Sequence, residues 1–252
     1  MAQLSVNMNV AALLRNRRGH PWPDVVGLAR IALEVGAVGL TLHPRPDARH
    51  ATPDDVRAFR ALIDHAFPDR ELNIEGYPDE RFLTLVEEVG AEQVTLVPDA
   101  PDQATSDHGW AFERHITFLS ETIERLRSAA GRIVLFADPD AAQMQHAAAT
   151  GADRVEFYTG LYGAAHSNDA EQERQLRRLG EAAQAAHGYG LGVNAGHDLT
   201  VPGTRKLVAR VPEISEVSIG HALFCDAVHY GIRETVERYL SACRPEPEGV
   251  GS

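Results

Sequence analysis

Five short runs in this chain end alike. Thr41-Leu42-His43-Pro44-Arg45, Asn73-Ile74-Glu75-Gly76, Arg154-Val155-Glu156-Phe157-Tyr158, Val193-Asn194-Ala195-Gly196-His197 and Val217-Ser218-Ile219-Gly220-His221 each carry an apolar, often β-branched stretch into a base, an acid or an amide. Segments with helical spacing of apolar residues separate them, as in Val56, Phe59 and Ile63, or Phe82, Leu85, Val86 and Val89. Strand and helix in alternation build a parallel sheet with crossover helices. When such a sheet closes on itself, the C-terminal ends of all strands meet at one mouth, and the polar run-ends converge there.

The pattern predicts eight strand and helix pairs. Strands are expected at 4–9, 38–43, 72–77, 93–98, 133–137, 155–159, 190–194 and 217–219, and helices at 25–35, from Pro53 onward, 78–89, 112–129, 141–149, 171–186, 204–211 and up to about Leu240. Asp24 is placed to cap the first of these helices, and Thr52-Pro53-Asp54-Asp55 opens the next with a capping threonine, a first-turn proline and acids. The arginine-rich passage 13–23 and the polar segment 99–110 read as long loops. In a parallel barrel each strand is buried on both faces, so the runs are expected to be apolar without clean alternation. A chain of 252 residues is close to the ~250 typical of one barrel. The expectation is therefore a single (β/α)8 TIM barrel over residues 1–243 with additional short helices, and a disordered tail at 244–252 rich in Pro, Glu and Gly. A doubly wound open sheet is disfavoured, because no Gly-x-Gly-x-x-Gly follows the first strand and no Gly-x-x-x-x-Gly-Lys occurs.

Composition excludes several function classes. A net charge of −12 and an aromatic fraction of 6% make a poor nucleic-acid surface. No apolar run approaches the ~18 residues of a membrane span. Two cysteines, Cys225 and Cys243, are too few for a disulfide framework, and no signal-like segment opens the chain, so a cytoplasmic location is expected.

The sole lysine, Lys206, falls in the helix after the seventh strand, which leaves no strand-end lysine for a Schiff base or a lysine-bound cofactor. No His-x-His or His-Glu-x-x-His motif gives a metal site; neither metal nor cofactor is expected. What remains at the strand ends is histidine and glutamate, the residue types that move protons near neutral pH when glutamate is buried. Arg18 and Arg45 offer anion-binding forks, and Ser218-Ile219-Gly220-His221-Ala222 sets a glycine where the eighth strand turns into a helix, the place of a backbone phosphate cradle in barrels. Taken singly, a strand-end histidine is as often structural as catalytic. His65, His115, His146, His187 and His229 fall on predicted helices and read as surface or packing residues.

Ser-Val-Asn7, Leu-Arg-Asn-Arg-Arg18-Gly, His43-Pro-Arg45-Pro-Asp-Ala-Arg-His50, Asn-Ile-Glu75, Leu-Val-Pro98 with Thr105, Val-Glu156, Val-Asn-Ala-Gly-His197 and Ile-Gly220-His221-Ala together resemble the pyridoxine 5′-phosphate synthase family, in order and spacing, from about Leu4 to Leu240. The resemblance implies a cytoplasmic (β/α)8 enzyme, commonly an octamer. Such an enzyme condenses 1-deoxy-D-xylulose 5-phosphate with 3-amino-2-oxopropyl phosphate, closing a pyridine ring and releasing phosphate and water. It also implies roles: His43 and Glu75 as proton acceptors, His197 as proton donor, and Glu156 as the group that stabilises developing positive charge. Asn7, Gly220 and His221 would bind the aminoketone phosphate, and Arg18, Arg45, His50 and Thr105 the sugar phosphate. Asn9 and Asp198 occupy further contact positions.

Two departures stand out. Asn9-Val10 replaces the Asp-His of many members, and Asp198 replaces a glycine, in a pattern similar to a branch with Asn-x-Asn and Gly-His-Asp motifs. A carboxylate beside His197 is expected to raise its pKa. Two other readings stay open: a metal-assisted phosphosugar isomerase on the same barrel, and a non-catalytic phosphate-binding homologue.

Overall fold

Among the described residues, eight strands hydrogen-bond in the order in which they occur, all parallel, and the last pairs with the first to close the barrel. The computed structural model describes residues 1–99, 103 and 106–244; Thr105 and most of the proposed tail, 245–252, lie outside them. The chain runs β1 (Gln3–Asn7), α1 (Asn9–Asn16), α2 (Val25–Val35), β2 (Gly39–Leu42), α3 (Pro53–Ala66), β3 (Glu71–Gly76), α4 (Glu80–Val89), β4 (Ala91–Leu96), α5 (Phe112–Leu126) and β5 (Ala130–Ala137). It continues through a short 3-10 turn (Ala141–Gln143), α6 (Met144–Ala149), β6 (Arg154–Tyr158), α7 (Gly160–Ala164), α8 (Asp169–Gly188), β7 (Gly192–Gly196), α9 (Val201–Arg210), β8 (Ile214–Ile219), α10 (His221–Tyr230) and α11 (Ile232–Ala242).

Local chemistry sets the helix starts. Asp24 accepts the Gly27 amide at 2.9 Å, and Thr52 and Asp55 form a reciprocal capping box ahead of α3. Asp79, Asn168 and Thr200 cap α4, α8 and α9 in the same way. Two elements differ from the sequence reading. The passage after β1 begins with α1 rather than a loop: Ala11, Ala12, Leu13 and Leu14 are strong or adequate helix formers, and the Asn7 side chain accepts the Asn9 amide at 3.0 Å, satisfying one orphan donor of its first turn. The loop after β6 likewise contains α7, and the final helix is two, α10 and α11, divided at Gly231.

The strands do alternate, contrary to expectation. Leu4 and Val6, Leu40 and Leu42, Leu72 and Ile74, Val94 and Leu96, Val155 and Phe157, and Val217 and Ile219 pack outward into one apolar core with the helices. The intervening residues fill the barrel, and most of them are polar. Ser5 and Thr41 hydroxyls lie 2.7 Å apart, Thr95 donates to Asn73 at 3.0 Å, and Gln93 reaches across the barrel to Glu216 at 3.1 Å. Arg132 contacts Gln93, Glu71 and Glu216, while Arg154 donates to Asn194 at 3.0 Å. A polar interior is tolerated because these groups find partners across the barrel. The period of two therefore continues upward, so the next inward positions, Asn7, His43, Glu75, Glu156 and Tyr158, arrive at the mouth.

Candidate active site

A cavity of about 420 Å³ opens at the C-terminal ends of the strands. Its lining includes Asn7, Asn9, His43, Arg45, His50, Glu75, Glu156, His197, Asp198, Gly220 and His221. Those residues come from β1, β2, β3, β6, β7 and β8, from the turns that follow, or from the first residues of α1 and α10, so the fold gathers side chains up to 214 positions apart (7 to 221). Arg18 is not among them: it sits exposed on the turn after α1. Thr105 falls outside the described residues.

A web of side-chain to main-chain bonds fixes the wall formed by β1 and β2. Asn9 Oδ1 accepts the His43 amide at 2.9 Å, and Asn7 Nδ2 donates to Glu75 Oε2 at 3.4 Å. Asn9 thus carries a positioning bond that its neutral amide makes as well as an aspartate would. The Arg45 amide closes a tight turn on the His43 carbonyl at 2.9 Å, and the His43 and His50 rings meet edge-on with centroids 5.8 Å apart. Arg45, the intended anion fork, is buried and already paired: its Nη2 contacts Asp99, its Nη1 donates to the Gln103 carbonyl at 2.9 Å, and Ser106 donates to the same Asp99 oxygen at 2.6 Å.

Burial dominates the electrostatics. It drives the Glu75 pKa up to about 8, the charges of Asp99 and Glu216 adding to the rise and Arg45 and Asn7 opposing it. Glu156 is raised well above the ordinary carboxylate range, by burial first and then by Glu75 and Glu216. His43 is held well below an ordinary histidine by burial, reinforced by Arg45, and His50 falls to about 4 by burial, then Arg45 and Arg49. His197 also falls: burial outweighs the upward pull of Asp198 and Asp99. The upward pull expected of a carboxylate beside His197 is present, but Asp198 is exposed and its charge acts partly through water, so burial outweighs it.

Burial thus favours the neutral forms of Glu75 and Glu156 and of the His43, His50 and His197 imidazoles. Several buried polar atoms around the cavity have no hydrogen-bonding partner among the described residues: Glu156 Oε2, His197 Nδ1, Ser218 Oγ, His50 Nδ1 and Asp99 Oδ1. Unsatisfied buried groups are costly and cluster where a ligand completes them. Sequence reasoning missed Ser106, Tyr158 and Leu13 as lining residues, and named Ser218, Ile219 and Ala222 only as the segment around the Gly220 cradle. The period of two was the available signal for two of them, since Tyr158 lies two positions after Glu156 and Ser218 two before Gly220.

Comparison with known proteins shows the family. The family described as "Pyridoxal phosphate biosynthesis protein PdxJ" matches residues 4–245. A protein of Chelativorans sp. (strain BNC1) named pyridoxine 5'-phosphate synthase is 59% identical over 243 residues, covering 96% of this chain and 98% of the relative. A protein of the same name from Brucella abortus (strain S19) is 57% identical over 241 residues, with 96% and 98% covered. Among solved structures, tryptophan synthase from M. tuberculosis superposes with a TM-score of 0.64 at 11% identity, over 96% of this chain and 94% of that one, a likeness of fold alone. The chain belongs to the PdxJ family of pyridoxal phosphate biosynthesis proteins.

Proposed function

We propose that this protein is a pyridoxine 5′-phosphate synthase that joins 1-deoxy-D-xylulose 5-phosphate to 3-amino-2-oxopropyl phosphate. The observation that carries the reading is the convergence of His43, Glu75, Glu156 and His197 on one cavity, where Glu156 Oε2, His197 Nδ1 and Ser218 Oγ have no hydrogen-bonding partner among the described residues. The substrate amine condenses with the sugar ketone, so the imine forms between substrates and no enzyme lysine is required. Lys206 lies on α9, where its ammonium donates to Gln172 at 2.7 Å. Subsequent steps are proton transfers that accompany loss of phosphate, ring closure and loss of water.

Neutral His43 is a competent acceptor at neutral pH. Glu75 becomes one when the ammonium or iminium charge of the substrate arrives, because an adjacent cation favours the ionised carboxylate. Glu156 responds to the same charge and stabilises it. His197, whose neutral form burial favours, acts as donor through a ring N–H. Asn7, Gly220 and His221 hold the aminoketone phosphate at the β8 to α10 junction, whose N-terminal amides favour an anion. Arg45 and His50, with Thr105 and Arg18, serve the sugar phosphate; Arg18 must then act from outside the cavity of its own chain.

The protein acts in the cytoplasm as a homo-oligomer, with the octamer of the resemblance as the expected state. Exposed Leu14, Trp22, Val228 and Tyr230 support a self-association surface, which light scattering of the purified protein tests. No helix among the described residues is long and apolar enough to cross a membrane.

Incubation with both phosphorylated substrates and a chelator, read by mass and absorbance, tests the activity. Pyridoxine 5′-phosphate is the expected product. Metal-dependent conversion of one substrate alone, or binding without turnover, overturns the proposal.

A further inference from the structure

His197 is held in an unusual way. A catalytic imidazole is commonly oriented by a carboxylate or carbonyl on its second nitrogen; His197 has only the adjacent Gly196 carbonyl acting on its ring, and its Nδ1 makes no hydrogen bond of ordinary geometry among the described residues. Two aromatic rings also pack edge-on against it. The Phe136 ring stands edge-on at 5.2 Å and 60°, the Tyr158 ring at 5.5 Å and 70°, and those two rings meet each other at 6.0 Å. These are the edge-to-face separations at which aromatic pairs attract.

The end of β6 also grips the backbone beneath that imidazole. Thr159 Oγ1 lies 2.6 Å from the Gly196 carbonyl and 2.5 Å from that of His197, and the Thr159 amide donates to Gly196 at 2.9 Å. His197 has a φ of 85°, a conformation that persists only where its surroundings over-determine it. Tyr158 is itself fixed: its phenol oxygen rests on Gly160, where a Cβ would stand 2.1 Å away. It faces the cavity and is half-buried, so it is placed both to hold the histidine and to shield one face of it from water.

We propose that Tyr158 is a positioning residue for this reaction, its ring setting the orientation and solvation of the His197 imidazole. The inference rests on the reading of His197 as the proton donor. The ionisable groups that act on His197 are Asp198 beside it, Asp99 beyond β4, and Arg45 and His43 beyond β2, so any change in its titration is to be compared with those left in place.

The test uses the full-length protein and reads the imidazole carbon-bound protons by NMR through a pH titration, His197 being assigned by the signal missing in His197→Gln. Tyr158→Phe keeps the ring and should keep the ring-current-shifted His197 signals and their titration. Tyr158→Leu should move those signals to ordinary positions, raise the titration point toward that of a solvated histidine, and lower kcat roughly ten-fold with KM little changed, as expected for a misplaced catalytic group. Should Tyr158→Leu fail to fold, Tyr158→Met carries the same expectations. Unchanged His197 signals and titration in the leucine or methionine variant overturn the proposal alone. Full turnover in His197→Gln overturns the donor reading, and the proposal falls with it.

Discussion

The Glu156 carboxyl group lies against the Cα of Gly196, so close that a Cβ on residue 196 would stand 2.4 Å from Glu156 Oε1. Glycine at this position in β7 is what lets a carboxyl from β6 sit buried at the floor of the cavity. Gly196→Ala should cost about 1–3 kcal/mol of stability, the usual range for overpacking. Denaturant unfolding of Gly196→Ala, Glu156→Ala and the double variant should show coupling, with the double variant more stable than the sum of the two effects allows.

Glu75→Gln should fold and lose nearly all turnover, because the amide keeps the volume and cannot accept the proton. The pH dependence supplies a second reading. With its pKa raised to about 8, Glu75 binds a proton in the folded state that the unfolded chain has released above its ordinary value of 4.5. Its contribution to stability is therefore fully present below 4.5 and is lost as pH rises through 8. Glu75→Gln should remove that slope from a urea titration across the same window. In the native enzyme kcat/KM should climb toward pH 8 as Glu75 ionises in the free protein.

Asp99→Ala should destabilise by about 3–5 kcal/mol, the cost of leaving a buried charge without its partner. Arg45 and Asp99 side chains are each 3% exposed, so water cannot replace the lost carboxylate. Chemical denaturation measures this directly. The same geometry requires a sugar phosphate that engages Arg45 to compete with Asp99.

Asp198→Gly should be nearly neutral for stability, within about 1 kcal/mol, since relief of a left-handed φ of 53° is offset by the greater freedom of glycine in the unfolded chain. Affinity for the aminoketone phosphate should be nearly unchanged if, as proposed, Asp198 meets it through the main chain, its side chain being exposed. The His197 titration point should fall further, as Asp198 is the first of the charges that raise it. A large drop in turnover without a change in stability would show that the carboxylate takes part.

Much of this architecture is local in origin and therefore visible in the residues. The Asp24 cap and the Thr52, Pro53 and Asp55 box operate within four positions, so sequence spacing alone reveals them. The polar strand ends are visible for the same reason, and they deliver His43, Glu75, Glu156 and His197 to the mouth. What escaped depends on distant partners. Gln93 meets Glu216 across 123 positions, and Asp99 claims Arg45 across 54, so neither the polar filling of the barrel nor the engaged arginine follows from spacing. The first helix was hidden because Asn9-Val10 continues the strand pattern, while the bond from its amide to the Asn7 side chain exists only once the backbone has turned.

The central claim is that these four side chains turn two phosphorylated substrates into one aromatic product. Its most direct test is a time course that counts pyridoxine 5′-phosphate and inorganic phosphate together, in the native protein and in folded Glu75→Gln, with chelator present. Equal amounts of both are expected from the native protein and almost none from the variant. Native-like rates in Glu75→Gln, or phosphate released without pyridoxine 5′-phosphate, would contradict it.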